Sequence, residues 1–277
     1  MSSRNFNELL AAQYAQGKFV CVGLDSDPSK LPASIDRGHG VSMAIFLFNQ
    51  KIVDATHDIA CAYKLNAAFY IHQGYGALAD TIAYIQQVAP GVPVIVDSKK
   101  GDIGNTNDAY AIEAYEMLKA DAVTIHPYLG RESLSAFLGR KDKGVFILCH
   151  TSNPGAGEFQ ELRLQNGDML YEFIARQVAE EWNINGNCGL VVGATFPRQL
   201  DGVRQIVGRM PILIPGIGKQ GGNLMETVLA GKDDANMGML INSSREIIFA
   251  SNGEDFAEVA RARTVEMHRQ ITEYLNR

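Results

Sequence analysis

The residues best placed to do chemistry fall in Val94-Ile-Val-Asp97-Ser-Lys99-Lys-Gly-Asp102-Ile103-Gly-Asn-Thr106, where an apolar run ends in a carboxylate and an ammonium two positions apart. Alternate residues of a strand point to one face, so Asp97 and Lys99 project together. Asp102 follows a glycine just ahead of a helical pattern, where it either caps that helix or returns a second carboxylate to the same place. Lys64, in Ala62-Tyr-Lys64-Leu-Asn66, ends the preceding apolar run, and neighbouring strands lie only about 4.8 Å apart. Lys64, Asp97, Lys99 and Asp102 are thus expected to form an alternating array of two cations and two anions. In such an array each charge has an opposite neighbour, so it persists in a partly dry pocket where a lone ion would neutralise. The competing reading is a set of solvated salt bridges at a strand end.

A second stretch suits an anion. Pro211-Ile-Leu-Ile-Pro215-Gly216-Ile-Gly218-Lys-Gln220-Gly-Gly222 carries an apolar strand into a glycine-rich turn ahead of a helix. Glycines let backbone N–H groups approach a phosphate closely, and the helix start adds positive partial charge. The next apolar run ends Leu240-Ile-Asn-Ser-Ser-Arg245, offering hydroxyls and a guanidinium able to grip phosphate through two parallel bonds. A third stretch, Cys149-His-Thr-Ser152-Asn-Pro-Gly-Ala156, offers a hydroxyl and amides that could read a polar ring edge; by itself it is equally an ordinary turn. Asp25, at the end of the first apolar run, suits sugar hydroxyls, or caps a turn. His126, in His126-Pro-Tyr-Leu-Gly130, reads as a structural rim residue rather than a catalyst.

These side chains need a scaffold that gathers strand ends. Short β-rich runs occur at Phe19–Leu24, Ile59–Leu65, Val92–Asp97, Ala122–Ile125, Val145–Cys149, Gly189–Val192, Pro211–Ile214 and Met237–Ile241. Helical spacing fills Ser42–His57, Tyr75–Gln87, Asn105–Leu118, Asp168–Trp182, Arg198–Val207 and Phe256–Tyr274, with smaller pieces at Ser133–Leu138 and Asn223–Leu229. Near-continuously apolar strands alternating with helices indicate a parallel sheet covered on both faces. Eight such units predict a single-domain (β/α)8 TIM barrel over 1–277, whose functional rim lies at the C-terminal ends of the strands. A doubly wound dinucleotide fold is disfavoured, because Gly23-Leu-Asp-Ser-Asp-Pro28 puts acids where a pyrophosphate needs glycine amides. Two segments longer than a barrel requires, Ser26–Val41 and Ser152–Gly167, both follow strands and are expected at the rim.

Composition narrows the class further. Of 277 residues 46% are hydrophobic, which excludes a disordered chain, and the formal charge of −6 argues against a general nucleic-acid coat. No apolar run is long enough to cross a bilayer and none at the start reads as a secretion signal, so a cytoplasmic location is expected. Cys21, Cys61, Cys149 and Cys188 show no metal-ligand spacing and lie in or beside apolar runs, as small buried residues.

Taken in order, Gly23-Leu-Asp25, Lys64-Leu-Asn66, Asp97 to Thr106, Ser152-Asn-Pro-Gly-Ala156, Pro215 to Gly222 and Ser244-Arg245 resemble orotidine 5′-phosphate decarboxylase. The length, the Ser-Asn-Pro-Gly-Ala segment and Val192-Gly-Ala-Thr-Phe-Pro197 are similar to its longer type 2 subfamily. The resemblance implies conversion of orotidine 5′-monophosphate to uridine 5′-monophosphate and carbon dioxide in de novo pyrimidine synthesis, with neither metal nor organic cofactor. It further implies that Lys99 protonates C6, that Asp97 lies against the departing carboxylate, and that Lys64 orients Asp97 and reaches toward the ribose. Asp25 matches the ribose contact and Ser152 the pyrimidine contact; Pro215, Gly216, Gln220 and Arg245 match the phosphate site. Asp102, Ile103 and Thr106 match positions donated across a homodimer interface into the partner's pocket. Ser26-Asp27-Pro28 departs from the family pattern. Two other classes stay open on the residues alone: a magnesium-dependent sugar-phosphate relative, which places a carboxylate where Lys64 stands, and a non-catalytic nucleotide or sugar-phosphate sensor.

Overall fold

The structure is a computed structural model that describes residues 4–218 and 220–277. Among these, eight parallel strands close into a barrel in chain order: β1 (Val20–Gly23), β2 (Ala62–Asn66), β3 (Val94–Lys100), β4 (Ala122–Ile125), β5 (Gly144–His150), β6 (Cys188–Val192), β7 (Ile212–Pro215) and β8 (Met239–Ser243). The helices are α1 (Phe6–Tyr14), α2 (Val41–Thr56), α3 (Ala68–Ile71), α4 (Gly76–Val88), α5 (Gly104–Ala111), α6 (Gly130–Ser133), α7 (Ser135–Leu138), α8 (Leu170–Gln177), α9 (Pro197–Val207), α10 (Leu224–Gly231), α11 (Arg245–Ile248) and α12 (Phe256–Leu275). The expected TIM barrel is therefore present, with β4 at its expected bounds and the other strands shifted by up to three residues at their ends. β2 starts three residues late, because the amides of Ile59 and Ala60 bond back to the Thr56 carbonyl and close α2, and β3 runs three residues further, to Lys100. The helices expected as single pieces at Asn105–Leu118 and Asp168–Trp182 each end in a π-helical turn, at Ile112–Met117 and Val178–Trp182.

Strand alternation divides the core in two. Cys21, Ala62, Ile95, Ala122, Phe146, Val191, Leu213 and Leu240 fill the barrel interior, whereas Val22, Tyr63, Val96, Val123, Ile147, Leu190, Ile214 and Ile241 face the helical shell. With both faces buried the strands read as unbroken apolar runs. Gly189 is required here, since a Cβ would stand 2.6 Å from the Phe146 ring. All four cysteines are buried and free, as expected.

The N-terminal end of the barrel is closed by α1, a helix that the spacing analysis leaves out. Asn5 caps it, its side chain accepting from the amides of Asn7 and Glu8. Phe6 and Leu10 insert among the interior residues, and the Phe6 ring meets Phe146 edge-on at 5.6 Å. Arg4 anchors the entry to α1 through a two-pronged pair with buried Asp121, both N···O distances being 2.8 Å. On the opposite side of the shell, buried Arg204 donates to the carbonyls of Gly208, Met210, Gly231 and Gly238, tying α9 and α10 to the approaches of β7 and β8.

Candidate active site

The C-terminal ends of the strands surround a cavity of about 620 Å³. Register brings its charged residues together: Lys64 lies mid-way along β2 opposite Ile95, and Asp97 follows on β3 opposite Asn66, the last residue of β2. Lys64 Nζ lies 3.1 Å from both Asp25 Oδ1 and Asp97 Oδ2, and Lys99 Nζ lies 2.6 Å from Asp97 Oδ1. The result is a linear chain of alternating charge, Asp25–Lys64–Asp97–Lys99. Burial pushes the Asp97 carboxyl up, but the Lys64 and Lys99 ammonium groups and the Thr124 hydroxyl more than offset it and hold it well below the usual carboxylate range. Burial likewise disfavours the Lys64 charge, yet Asp25 and Asp97 leave its pKa raised. Lys99 differs from both, with 46% of its side chain exposed toward the cavity.

Of the four residues expected in the array, Lys64, Asp97 and Lys99 come together, with Asp25 as the second anion within the chain, and Asp102 stands apart. Asp102 lies outside the cavity, its Oδ1 accepting from the Ile103 amide at 2.7 Å while its own amide donates to Asn107. Ile103 is 61% exposed, and neither it nor Thr106 lines this cavity.

Thr124 is a residue the spacing analysis missed. Its hydroxyl donates to Asp97 Oδ1 at 2.7 Å and accepts from the Lys99 amide at 3.0 Å. The second bond matters because β3 is irregular against β4 between Val96 and Lys100, and Lys99 sits at φ 51°, which is unfavourable for a side chain with a Cβ. The signal was present in strand parity: Ala122 faces the interior, so Thr124 does too.

Across the cavity, β7 runs through Pro215 into a turn in which Gly216 and Gly218 adopt φ of 108° and 81°. The Gly222 amide bonds back to the Gly216 carbonyl, and Asn223 then caps α10. Ser244 and Arg245 enter from the end of β8, and Gly23 makes way for them, since a Cβ there would fall 1.9 Å from Ser244 Oγ. Ser152 Oγ bonds Gln220 Oε1 at 2.7 Å, joining the loops after β5 and β7 over the opening. Both long segments reach the rim: Asp27 and Lys30 pair at 2.7 Å beside Asp25, and Asn153 and Gln160 line the wall next to Ser152. His126 contacts the Gly101 carbonyl and the Tyr128 amide, outside the cavity, in keeping with a structural role. Among the described residues, no group of three or more His, Cys, Asp or Glu side chains is arranged to hold a metal ion.

A profile of the Orotidine 5′-phosphate decarboxylase / HUMPS family matches residues 18–260. The chain belongs to this family. Among relatives in the orotidine 5′-phosphate decarboxylase group, one from Azoarcus sp. (strain BH72) is 49% identical over 267 residues, covering 96% of this chain and 97% of the relative. Another, from Cellvibrio japonicus (strain Ueda107), is 44% identical over 265 residues, covering 95% and 96%. The solved structure of Leishmania donovani OMP decarboxylase superposes with a TM-score of 0.85 at 36% identity, covering 99% of this chain and all of that one. Leishmania donovani UMP synthase gives 0.86 at 38% identity over 98% of this chain; the chain spans 57% of that longer protein.

Proposed function

We propose that this protein decarboxylates orotidine 5′-phosphate to uridine 5′-phosphate and carbon dioxide in pyrimidine biosynthesis, without a metal or organic cofactor. The observation that carries the reading is the Asp25–Lys64–Asp97–Lys99 chain at one side of a cavity whose other side is the turn from Gly216 to Gln220 with Arg245. A nucleotide phosphate in that turn, gripped by Gln220, Arg245 and the backbone at Pro215 and Gly216, extends its base toward Lys99 and Ser152. Asp25 and Lys64 take the sugar.

Breaking the bond between C6 and the carboxylate carbon leaves its electron pair on C6 in the plane of the ring, where the π system cannot accept it. A fixed cation in a closed, low-dielectric site stabilises that charge as it develops. Lys99 fills the role, then passes its proton to C6, giving uridine 5′-phosphate as carbon dioxide leaves. Asp97 stays ionised beside the substrate carboxylate, a like-charge contact that the departure of carbon dioxide relieves. Binding energy from the distant phosphate supports closure of the Ser152 and Gln220 loops over this arrangement.

The reading extends to assembly. In a homodimer, Asp102, Ile103 and Thr106 of one copy complete the other copy's pocket, and the exposed apolar side chain of Ile103 suits such an interface. The chain length, the Ser152–Ala156 segment and the Val192–Pro197 stretch support placement in the type 2 subfamily, the whole of 1–277 acting as one catalytic barrel. Four free thiols among the described residues suit a reducing cytoplasm. The magnesium-dependent alternative is disfavoured by Lys64, whose ammonium stands between the two carboxylates a divalent ion would need.

The test is loss of the orotidine nucleotide's ultraviolet absorbance in cofactor-free buffer containing a chelator. Undiminished turnover is expected; activity that vanishes with chelator and returns with magnesium would favour the sugar-phosphate relative, and uridine 5′-phosphate binding without turnover would favour the sensor.

A further inference from the structure

Asn242 poses a problem that the mechanism does not solve. It lies on β8 with its side chain inward, two residues beyond interior Leu240, and lines the cavity. It is only 5% exposed, and its Oδ1 is buried with no hydrogen-bond partner among the described residues. A buried carboxamide oxygen left unpaired destabilises a protein, so an apolar residue of similar volume would serve this position better if only the ligand-free fold mattered.

Its position indicates what would pair with it. Asn242 registers with Pro215 on β7 and Cys21 on β1, one inward layer beneath Ser244. It therefore sits on the floor between the anion turn and the Asp25–Lys64 pair. Gly23 leaves the space, since a Cβ there would lie 3.1 Å from Asn242 Oδ1. The part of a nucleotide that spans from a phosphate at Gly216 and Arg245 to a base at Lys99 is the sugar. We infer that Asn242 is a further substrate-binding residue, its carboxamide hydrogen-bonding the ribose directly or through one ordered water. The inference rests on the nucleotide reading of this cavity.

The prediction is an opposed pair of effects in Asn242→Leu. The ligand-free variant should be as stable as the parent or more so in urea unfolding, because the unpaired oxygen is gone. Its calorimetric Kd for uridine 5′-phosphate should rise about 3- to 10-fold, the range of one net hydrogen bond. The same factor should appear with ribose 5-phosphate, which keeps the sugar and lacks the base. A variant that loses stability while binding both ligands normally would overturn the inference, since the partner of Asn242 would then lie within the protein. Weakened uridine 5′-phosphate binding with unchanged ribose 5-phosphate binding would also overturn it, moving the contact to the base. If Asn242→Leu disturbs packing, Asn242→Asp provides the second arm: its added charge near the phosphate should weaken both ligands further. A parent protein that binds neither ligand would remove the nucleotide reading itself, an outcome separate from any behaviour of the variants.

Discussion

Lys64 holds two carboxylates at once, so its loss would leave Asp97 buried with only Lys99 and the Thr124 hydroxyl to sustain its charge. Breaking a buried pair from one side costs about 3–5 kcal/mol, and Lys64→Met is expected to lose that order of stability near neutral pH. The pH dependence has a definite sign. Asp97 is held below its ordinary range, so it contributes stability above its unfolded pKa of about 3.9, and loses it as pH falls through the lower folded value. Lys64 is raised, so its contribution is complete below about pH 10.4 and is lost only at higher pH. The stability gap between parent and Lys64→Met should therefore be widest between about pH 5 and 9 and narrow in acid, as followed by urea unfolding across pH. A gap that stays constant down to about pH 2 would mean Asp97 is not the charge that Lys64 supports. At this scale the sequence is most legible where a charge ends an apolar run, as at Asp25, Lys64, Asp97 and Lys99. Thr124 and Asn242 are quieter: a neutral polar residue at a strand end looks ordinary until its inward parity is counted. Nothing in the spacing reveals the positive φ of Lys99 or the pairing of Lys64 with Asp25.

Among the elements, the strands and most of the helices follow from apolar runs and helical period, because a strand buried on both faces can hardly be written any other way. The helix α1 escapes that reading, since its inward side is a few residues, Phe6, Leu10 and Gln13, and its burial depends on meeting the barrel mouth. That makes it a test of packing rather than of propensity. Phe6→Ala is expected to destabilise the protein by about 3–5 kcal/mol while leaving kcat/KM near the parent value, since Phe6 lies at the end of the barrel opposite the cavity. Equilibrium unfolding with parallel kinetics checks both; an unchanged unfolding midpoint would show that α1 is only a surface strap.

For the whole molecule, the proposed dimer turns on Asp102, which does not line its own cavity, and on Ile103 beside it, which is exposed. Ile103→Arg would place a charge at the centre of the proposed interface, where an unpaired ion is strongly disfavoured. Sedimentation is expected to show a shift toward monomer, with turnover falling in proportion because each pocket would lose its partner's Asp102. A monomeric variant with full activity would confine the site to one chain. The proposed dimer is not legible from composition, as Asp102, Ile103 and Thr106 read alone as a helix start.

The claim on which the rest depends is that the Lys99 ammonium meets the electron pair released at C6. It is tested most directly by Lys99→Ala, measured in parallel for turnover of orotidine 5′-phosphate and for affinity toward uridine 5′-phosphate. In Lys99→Ala kcat is expected to fall by at least about three orders of magnitude, the scale of losing a single preorganised stabiliser of transition-state charge, while product Kd stays within about tenfold of the parent. Turnover near the parent rate would contradict that claim.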